Sequence, residues 1–379
     1  MFKKISVAIV FLLTTAIQSQ SQNFQDKKIQ FSGDFRFRGE HDWDSQKGDG
    51  SYREDRSRLR YRFRLQAKYN YKNWAEIGAR IRTGNLRDQQ GPHTTLGGGE
   101  GEFSTLQVGL EKVYFSAHYH QFTGWIGKNT FPFYKQNELF WNDNVFPEGI
   151  ALSYKILLNL KLVNSIEINS GHFIIGSNNK TFDEDSYFQG VQVRVKDILN
   201  QKIHLYPGFF YFNQVSNIPD KKGDFKLDYS IVTVGLEYEF SLKKRLVFGV
   251  DFYKNLEDLD TSEIPLALIE EKDGYVMNVK FGKLRKANDW ILNVYYAHIG
   301  KYAIVDYFAQ NDWGRLDYSS FDATGSRLSN TKGFELRIGY AINEKMNLIF
   351  RGYQIEQIKK EADFLETGSR ARVDFNFKF

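Results

Sequence analysis

Arg56, Arg58, Arg60, Arg62 and Arg64 stand at every second position of the run Asp55 to Tyr69, and Lys68 continues the row. A guanidinium stays charged at any physiological pH and presents a rigid fork of N–H donors, so such a row is equipped to attract anions. Other reactive groupings are sparse. His118 and His120 flank Tyr119 and would share a strand face, a spacing that can ligate a metal, but no third ligand lies near them in sequence. Cysteine is absent, which removes disulfides and thiolate chemistry. The seven histidines sit in no recognisable nucleophile setting, and Gly97 to Gly101 lacks the strand-to-helix context of a phosphate loop. No catalytic residue, metal or cofactor is expected.

The elements that must carry the arginines follow from their period. A strand points successive side chains to opposite faces, so Arg58, Arg60, Arg62, Arg64, Gln66 and Lys68 share one face while Leu59, Tyr61, Phe63, Leu65, Ala67 and Tyr69 share the other. One face suits oil and the other water, the pattern of a transmembrane strand in a closed barrel. Turning four of these arginines to mid-bilayer lipid would cost on the order of ten kcal/mol, so they must face the lumen.

Similar alternation recurs along the chain and gives about sixteen strands: Ile29–Arg38, Arg58–Tyr69, one around Ile77–Arg82, Leu106–Tyr119, Phe122–Asn129, Gly149–Leu158, Leu160–Ile174, Tyr187–Lys196, Lys202–Asn213, Asp228–Phe240, Arg245–Tyr253, Gly274–Phe281, Trp290–Ile299, Gly333–Ala341, Met346–Tyr353 and Ser369–Phe379. Lys202–Asn213 is the weakest, because Pro207 cannot donate to a ladder. Short and long connections take turns, as an up-and-down antiparallel barrel with short periplasmic turns and long external loops requires. Aromatic residues gather at the short-turn ends, among them Tyr69, Tyr71, Trp74, Trp290, Tyr340 and Phe377, where rings settle at headgroup level.

Met1-Phe2-Lys3-Lys4 followed by the apolar stretch Ile5–Ala16 and a polar exit predicts a secretory signal cleaved after about residue 21, leaving a barrel over 22–379. Past it no stretch is apolar enough for a membrane helix, and the mean hydropathy of −0.49 does not argue against a barrel, whose strands are half polar. The net charge of +5 is modest, and no nucleic-acid partner is expected.

Arg58 to Arg64 through Asn73-Trp74 to Arg80-Ile81-Arg82-Thr83-Gly84-Asn85 resembles the arginine-rich early hairpin of the "putative porin" family of Gram-negative envelopes. Gly127-Lys128-Asn129-Thr130-Phe131-Pro132-Phe133 and the block Leu139 to Tyr154 resemble that family's next segment. The resemblance implies a passive channel in the cell outer membrane, with homotrimers as one form of assembly and the terminal Phe379 as part of the signal read by the barrel assembly machinery.

Closing the barrel brings Arg36, Arg38, Arg58, Arg60, Arg62, Arg64, Arg80, Arg82, Arg370 and Arg372 onto one sector as a basic, pore-lining wall. Cations so crowded need water or opposing carboxylates. The third long loop, Thr130–Glu148, offers Glu138, Asp143 and Glu148 among many aromatic residues, and is expected to fold inward and set a transverse field against the arginines. Glu237, Glu239 and Asp251 fall on the interior face as solvated lining. The expected function is diffusion of small hydrophilic solutes with anions favoured. An exporter of anionic, alginate-like polysaccharide would use a similar basic path, a barrel enzyme such as a lipid hydrolase would place Ser/His or Asp/His groups at the outer rim, and a soluble β-sandwich would need no detergent.

Overall fold

The computed structural model describes residues 28–379 except 100, 159, 161, 179–180, 182–183, 201, 217–225, 241–243, 261–263 and 315–328. The expected signal segment lies outside the described residues.

The described strands are β1 (Ile29–Trp43), β2 (Arg56–Tyr71), β3 (Ala75–Thr83), β4 (Thr94–Thr95), β5 (Val108–Tyr119), β6 (Phe122–Lys128), β7 (Glu148–Leu157), β8 (Ser165–Gly176), β9 (Ser186–Lys196), β10 (Ile203–Ser216), β11 (Lys226–Phe240), β12 (Leu246–Asn255), β13 (Asp273–Gly282), β14 (Trp290–Ile299), β15 (Thr331–Ala341), β16 (Met346–Gln357) and β17 (Thr367–Lys378). Each pairs antiparallel with its neighbours, and β1 pairs with both β2 and β17, so the sheet closes. The two-residue β4 lies within a loop and pairs only with β2, which leaves sixteen staves. A closed antiparallel barrel has no edge, so every ladder group can be satisfied without water, the condition for crossing lipid. The seam is sealed by the last residue: Phe379 and Gly33 exchange backbone hydrogen bonds of 3.1 and 3.0 Å. A Cβ on Gly33 would lie 2.4 Å from the Phe379 ring, so glycine is required for that approach.

The outer face is apolar between two aromatic belts. On β14 the outward positions read Trp290, Leu292, Val294, Tyr296 and His298. Trp290 packs on Tyr340 at the short-turn end, while Tyr275 stacks on His298 and Tyr296 packs on Phe334 toward the long-loop end. Eight residues at ~3.4 Å each, tilted by ~40°, span about 20 Å of membrane normal, close to the ~25 Å apolar band of outer-membrane barrels.

Four local features go beyond the sequence expectation. β1 runs on to Trp43, because Glu40 and Asp42, loop-like in isolation, face inward against arginines of both neighbouring strands. β8 begins only at Ser165, and Leu160, Leu162 and Val163 are not strand. β10 is a full stave despite Pro207; its pairing with β9 is interrupted between Leu205↔Val195 and Gly208↔Gln192, where the ring removes a donor. In β5 the register slips between Arg80↔Lys112 and Ile81↔Leu110, making Glu111 the extra residue of a bulge. Glu111 and Lys112 consequently both point inward and both are buried.

The outward phase is directly testable. Val294→Arg, at the middle of the outward series, should destabilise the folded barrel by roughly 2–4 kcal/mol, as for a cation at the bilayer midplane, and lower the temperature at which the compact band converts to the unfolded one in gels. Wild-type behaviour would mean that position does not face lipid.

Candidate channel lining

The inward residues of β1 set the pattern of the arginine wall. In register order they are Asp34, Arg36, Arg38, Glu40 and Asp42. Their partners are Arg64, Arg62, Arg60, Arg58 and Arg56 on β2, and Lys378, Asn376, Asp374, Arg372 and Arg370 on β17. Each acid of β1 therefore stands between two cations. Glu40 is bound by Arg58 and, at 2.7 Å, by Arg372; Asp42 is bound by Arg370 and, at 2.8 Å, by Arg56. Asp374 takes Arg38 at 2.6 Å and Arg36 at 3.8 Å. On the far side the bulged Glu111 takes Arg64 at 2.7 Å, Arg80 at 2.6 Å and Arg82 at 3.6 Å. Arg62 pairs with Asp34. Arg60 has no carboxylate within salt-bridge range among the described residues and donates to the carbonyl of His93 at 3.3 Å. The ten arginines named from the sequence thus occupy one inner sector, but the sector is a lattice of shared carboxylates rather than a bare cationic ladder.

Those carboxylates come from the strands and from one unforeseen loop. Residues 300–314 fold into the lumen, burying Ile304, Phe308 and Trp313 and placing Asp312 2.7 Å from Arg372 and 4.0 Å from Arg38. Burial alone would raise the Asp312 carboxyl, yet Arg372, Arg38 and Arg351 hold it well below the usual carboxylate range. His93, also folded inward, is pushed well below the usual imidazole value by burial and by Arg38, Arg62 and Arg36, which keeps it neutral.

The loop from Asn129 to Pro147 also folds into the barrel, and its aromatic residues explain why. Phe131 stacks on Trp141 at 4.4 Å, Phe133 meets Phe210 edge-on at 5.0 Å and Phe140 stacks on Tyr253 at 5.3 Å. The inner face of β8 to β12 is apolar there, with Phe173, Phe188, Phe212 and Ile231 buried. This part of the interior therefore holds a hydrophobic core, where the sequence suggested only wet lining. Two glycine notches receive the loop. A Cβ on Gly190 would come within 2.6 Å of the Phe133 ring, and one on Gly249 within 1.8 Å of Gln136 Oε1. Gln136 Nε2 donates to the carbonyls of Leu236 and Val250, and Asn137 Nδ2 donates to Asp251. Tyr134 donates to Glu237. Asp251 and Glu237 are thus buried anchors for the loop and not solvated lining.

Of the three loop carboxylates expected at a constriction, one lies among arginines. Glu138 sits 3.7 Å from Arg351 and 3.8 Å from Arg337, on β16 and β15, away from the wall of β1 to β3. Burial works to raise it, but Arg351, Arg337 and Lys135 outweigh that and lower it. Asp143 turns back to Lys135 of the same loop. Glu148 belongs to β7 and pairs with Lys128 at 2.6 Å on an exposed part of the surface, so it is no part of a constriction. Instead, the loop reaches the arginine wall through neutral groups: Asn144 accepts from Arg64 at 2.9 Å, and the Arg80 guanidinium lies over the Phe146 ring at 4.8 Å. Arg337, Arg351 and Asp312 were not singled out from the sequence; the alternation of Glu335, Arg337 and Gly339 on β15 would have placed Arg337 inward.

The inward loops are knit together. Trp141 stacks on Phe308 at 4.9 Å, the Asn142 amide donates to the Phe308 carbonyl, and Gln90 Nε2 donates to the Ala309 carbonyl. A cavity of about 150 Å³ remains beside them, lined by Glu138, Asp143, Tyr295, Trp313, Glu335 and Arg337. His118 and His120 lie at the β5–β6 hairpin, and the described residues contain no group of three or more His, Cys, Asp or Glu placed to hold a metal.

Residues 48–226, from the approach to β2 through the inward loop to the first residue of β11, match the sequence model of the family described as "Putative porin". Over this stretch the chain is similar to the putative porin family. The porin fold extends over the rest as well. Pseudomonas putida OprB, in its high-pH structure, is 13% identical with a TM-score of 0.58, the match covering 93% of this chain and 95% of that one. A mutant of Rh. blastica porin is 12% identical with a TM-score of 0.52, covering 93% of this chain and all of the other. No curated protein matches the sequence.

If the glycine notch seats the loop, Gly249→Val must evict Gln136 from the Leu236 and Val250 carbonyls and from Asp251 and weaken docking by roughly 1–3 kcal/mol, the usual cost of overpacking. Single-channel conductance should rise and become noisier. Unchanged conductance would mean that the loop does not narrow the passage.

Proposed function

We propose that this porin-family barrel lets small hydrophilic solutes diffuse passively across the outer membrane and favours anions. The observation that carries the reading is how charge is distributed on the inner wall. From β17 through β1 to β3, eleven arginines (Arg36, Arg38, Arg56, Arg58, Arg60, Arg62, Arg64, Arg80, Arg82, Arg370 and Arg372) meet six carboxylates (Asp34, Glu40, Asp42, Glu111, Asp312 and Asp374). Sharing five of the six acids among two or three forks each, with Asp34 held by Arg62, keeps the cations in place while leaving the wall net positive. In a confined lumen flanked by low-dielectric protein, such an excess raises the local concentration of anions. Family and fold point to a channel rather than an enzyme, and the mechanism needs no chemical step.

On this reading the segment before residue 22 directs export and is removed, the short turns face the periplasm, and Phe379, whose ring covers Gly33 at the seam, serves recognition during assembly. The inward loops narrow the bore, and solutes pass between the arginine lattice and the neutral face of the 129–147 loop.

Reversal potentials in a tenfold potassium chloride gradient across a planar bilayer test the proposal. Chloride should permeate at least several-fold better than potassium, and Arg60→Glu with Arg62→Glu should reduce or invert that preference while the protein still assembles. A wild-type channel that prefers potassium, or a double variant of unaltered selectivity, would overturn it.

A further inference from the structure

The five register rows across β2, β1 and β17 differ in one respect. Four contain a carboxylate: Asp34, Asp374, Glu40 and Asp42 each occupy one. The row Arg62–Arg36–Asn376 contains none, and across the next pairing it continues into Asn347. Arg36 Nε donates to Asn376 Oδ1 at 2.6 Å, Asn376 Nδ2 donates to Asn347 Oδ1 at 2.9 Å, and the carboxylate nearest Arg36 is Asp374 at 3.8 Å. This row lines a cavity of about 340 Å³. Around that cavity Arg36, Arg62, Arg64, Arg80 and Lys378 face a single acid, Asp34. Lys378 has no carboxylate within salt-bridge range among the described residues, whereas Arg62, Arg64 and Arg80 lean on Asp34 and Glu111.

Deepening the reading of an anion-favouring channel, on which it rests, we propose that this cavity is a binding site for small phosphate monoesters on the short-turn side of the inward loops. The Arg36 fork and the Lys378 ammonium, short of close carboxylate partners, together with Arg62, Arg64 and Arg80, which share Asp34 and Glu111, suit a tetrahedral dianion with several oxygens better than a monoanion with one or two. The space falls in the range of small-molecule sites, ~300–1,000 Å³, and leaves room beyond the phosphate group. Gln66, Asn347 and Asn376 supply that remainder with amide donors and acceptors suited to hydroxyl groups. Solute would be held briefly here between the arginine lattice and the open end.

The test is titration calorimetry of the detergent-purified full-length barrel with inorganic phosphate, glycerol 3-phosphate and acetate at pH 7.5, paired with block of chloride current by the same anions. Both phosphates should bind at least tenfold more tightly than acetate, glycerol 3-phosphate should be at least as tight as phosphate, and block should be stronger from the short-turn side. Arg36→Gln should weaken phosphate binding at least tenfold, a larger factor than its effect on the chloride preference, to which ten other arginines contribute. Lys378→Gln, at an exposed position, should weaken it several-fold and keeps the test available if the first variant does not assemble. Equal binding of phosphate and acetate, or phosphate binding unaffected by the variants that fold, overturns the site. A wild-type barrel that binds phosphate but conducts without chloride preference would overturn the channel reading and leave the site standing.

Discussion

The structure depends on one electrostatic constraint: arginines that cannot face hydrocarbon must be carried inside a closed wall, and once inside must be partnered without being cancelled. Isolated charges of this kind would be expelled or neutralised by the cost of leaving water. The barrel meets the constraint with shared carboxylates. Glu40 between Arg58 and Arg372, Asp42 between Arg56 and Arg370, and Glu111 among three arginines each stabilise more positive charge than they remove. Register makes this possible, because a slip of one residue in β1 would turn Asp34, Glu40 and Asp42 to the outside and leave the arginines facing one another.

A second constraint acts on the opposite wall. There the interior is apolar, and the 129–147 loop fills it with aromatic rings that would otherwise be exposed to water. The loop is held by shape, at the Gly190 and Gly249 notches, and by buried acceptors at Asp251 and Glu237. The two walls therefore differ in kind: one is a polar lattice of arginines and shared carboxylates, the other a packed core that positions the 129–147 loop.

Much of the barrel was legible because lipid enforces an apolar residue at every second outward position, and all sixteen expected staves have counterparts. Where both faces are apolar the period fades, as in Phe209-Phe210-Tyr211-Phe212 of β10, and that stave was the least certain. The inner arginines were legible from phase alone. Their partners were less so: Glu40 and Asp42 read as loop, because their stability as strand depends on Arg58, Arg372, Arg56 and Arg370 across the seam. Glu111 needed the bulge, whose one sign in the sequence is two adjacent polar residues between outward Leu110 and Val113. The contribution of residues 300–314 carried no periodic signal and is fixed by tertiary packing.

The sharing of carboxylates is measured most directly by a double-mutant cycle on Glu40 with Arg58 and Arg372, read as the unfolding free energy of the barrel in lipid vesicles. Glu40→Gln should destabilise more than either arginine variant alone, and its effect should shrink by roughly 1–3 kcal/mol when both arginines are already glutamine, the coupling expected of groups in one network. Strictly additive effects would contradict the account, since they would mean that the arginines keep to the inner wall without depending on the acids between them.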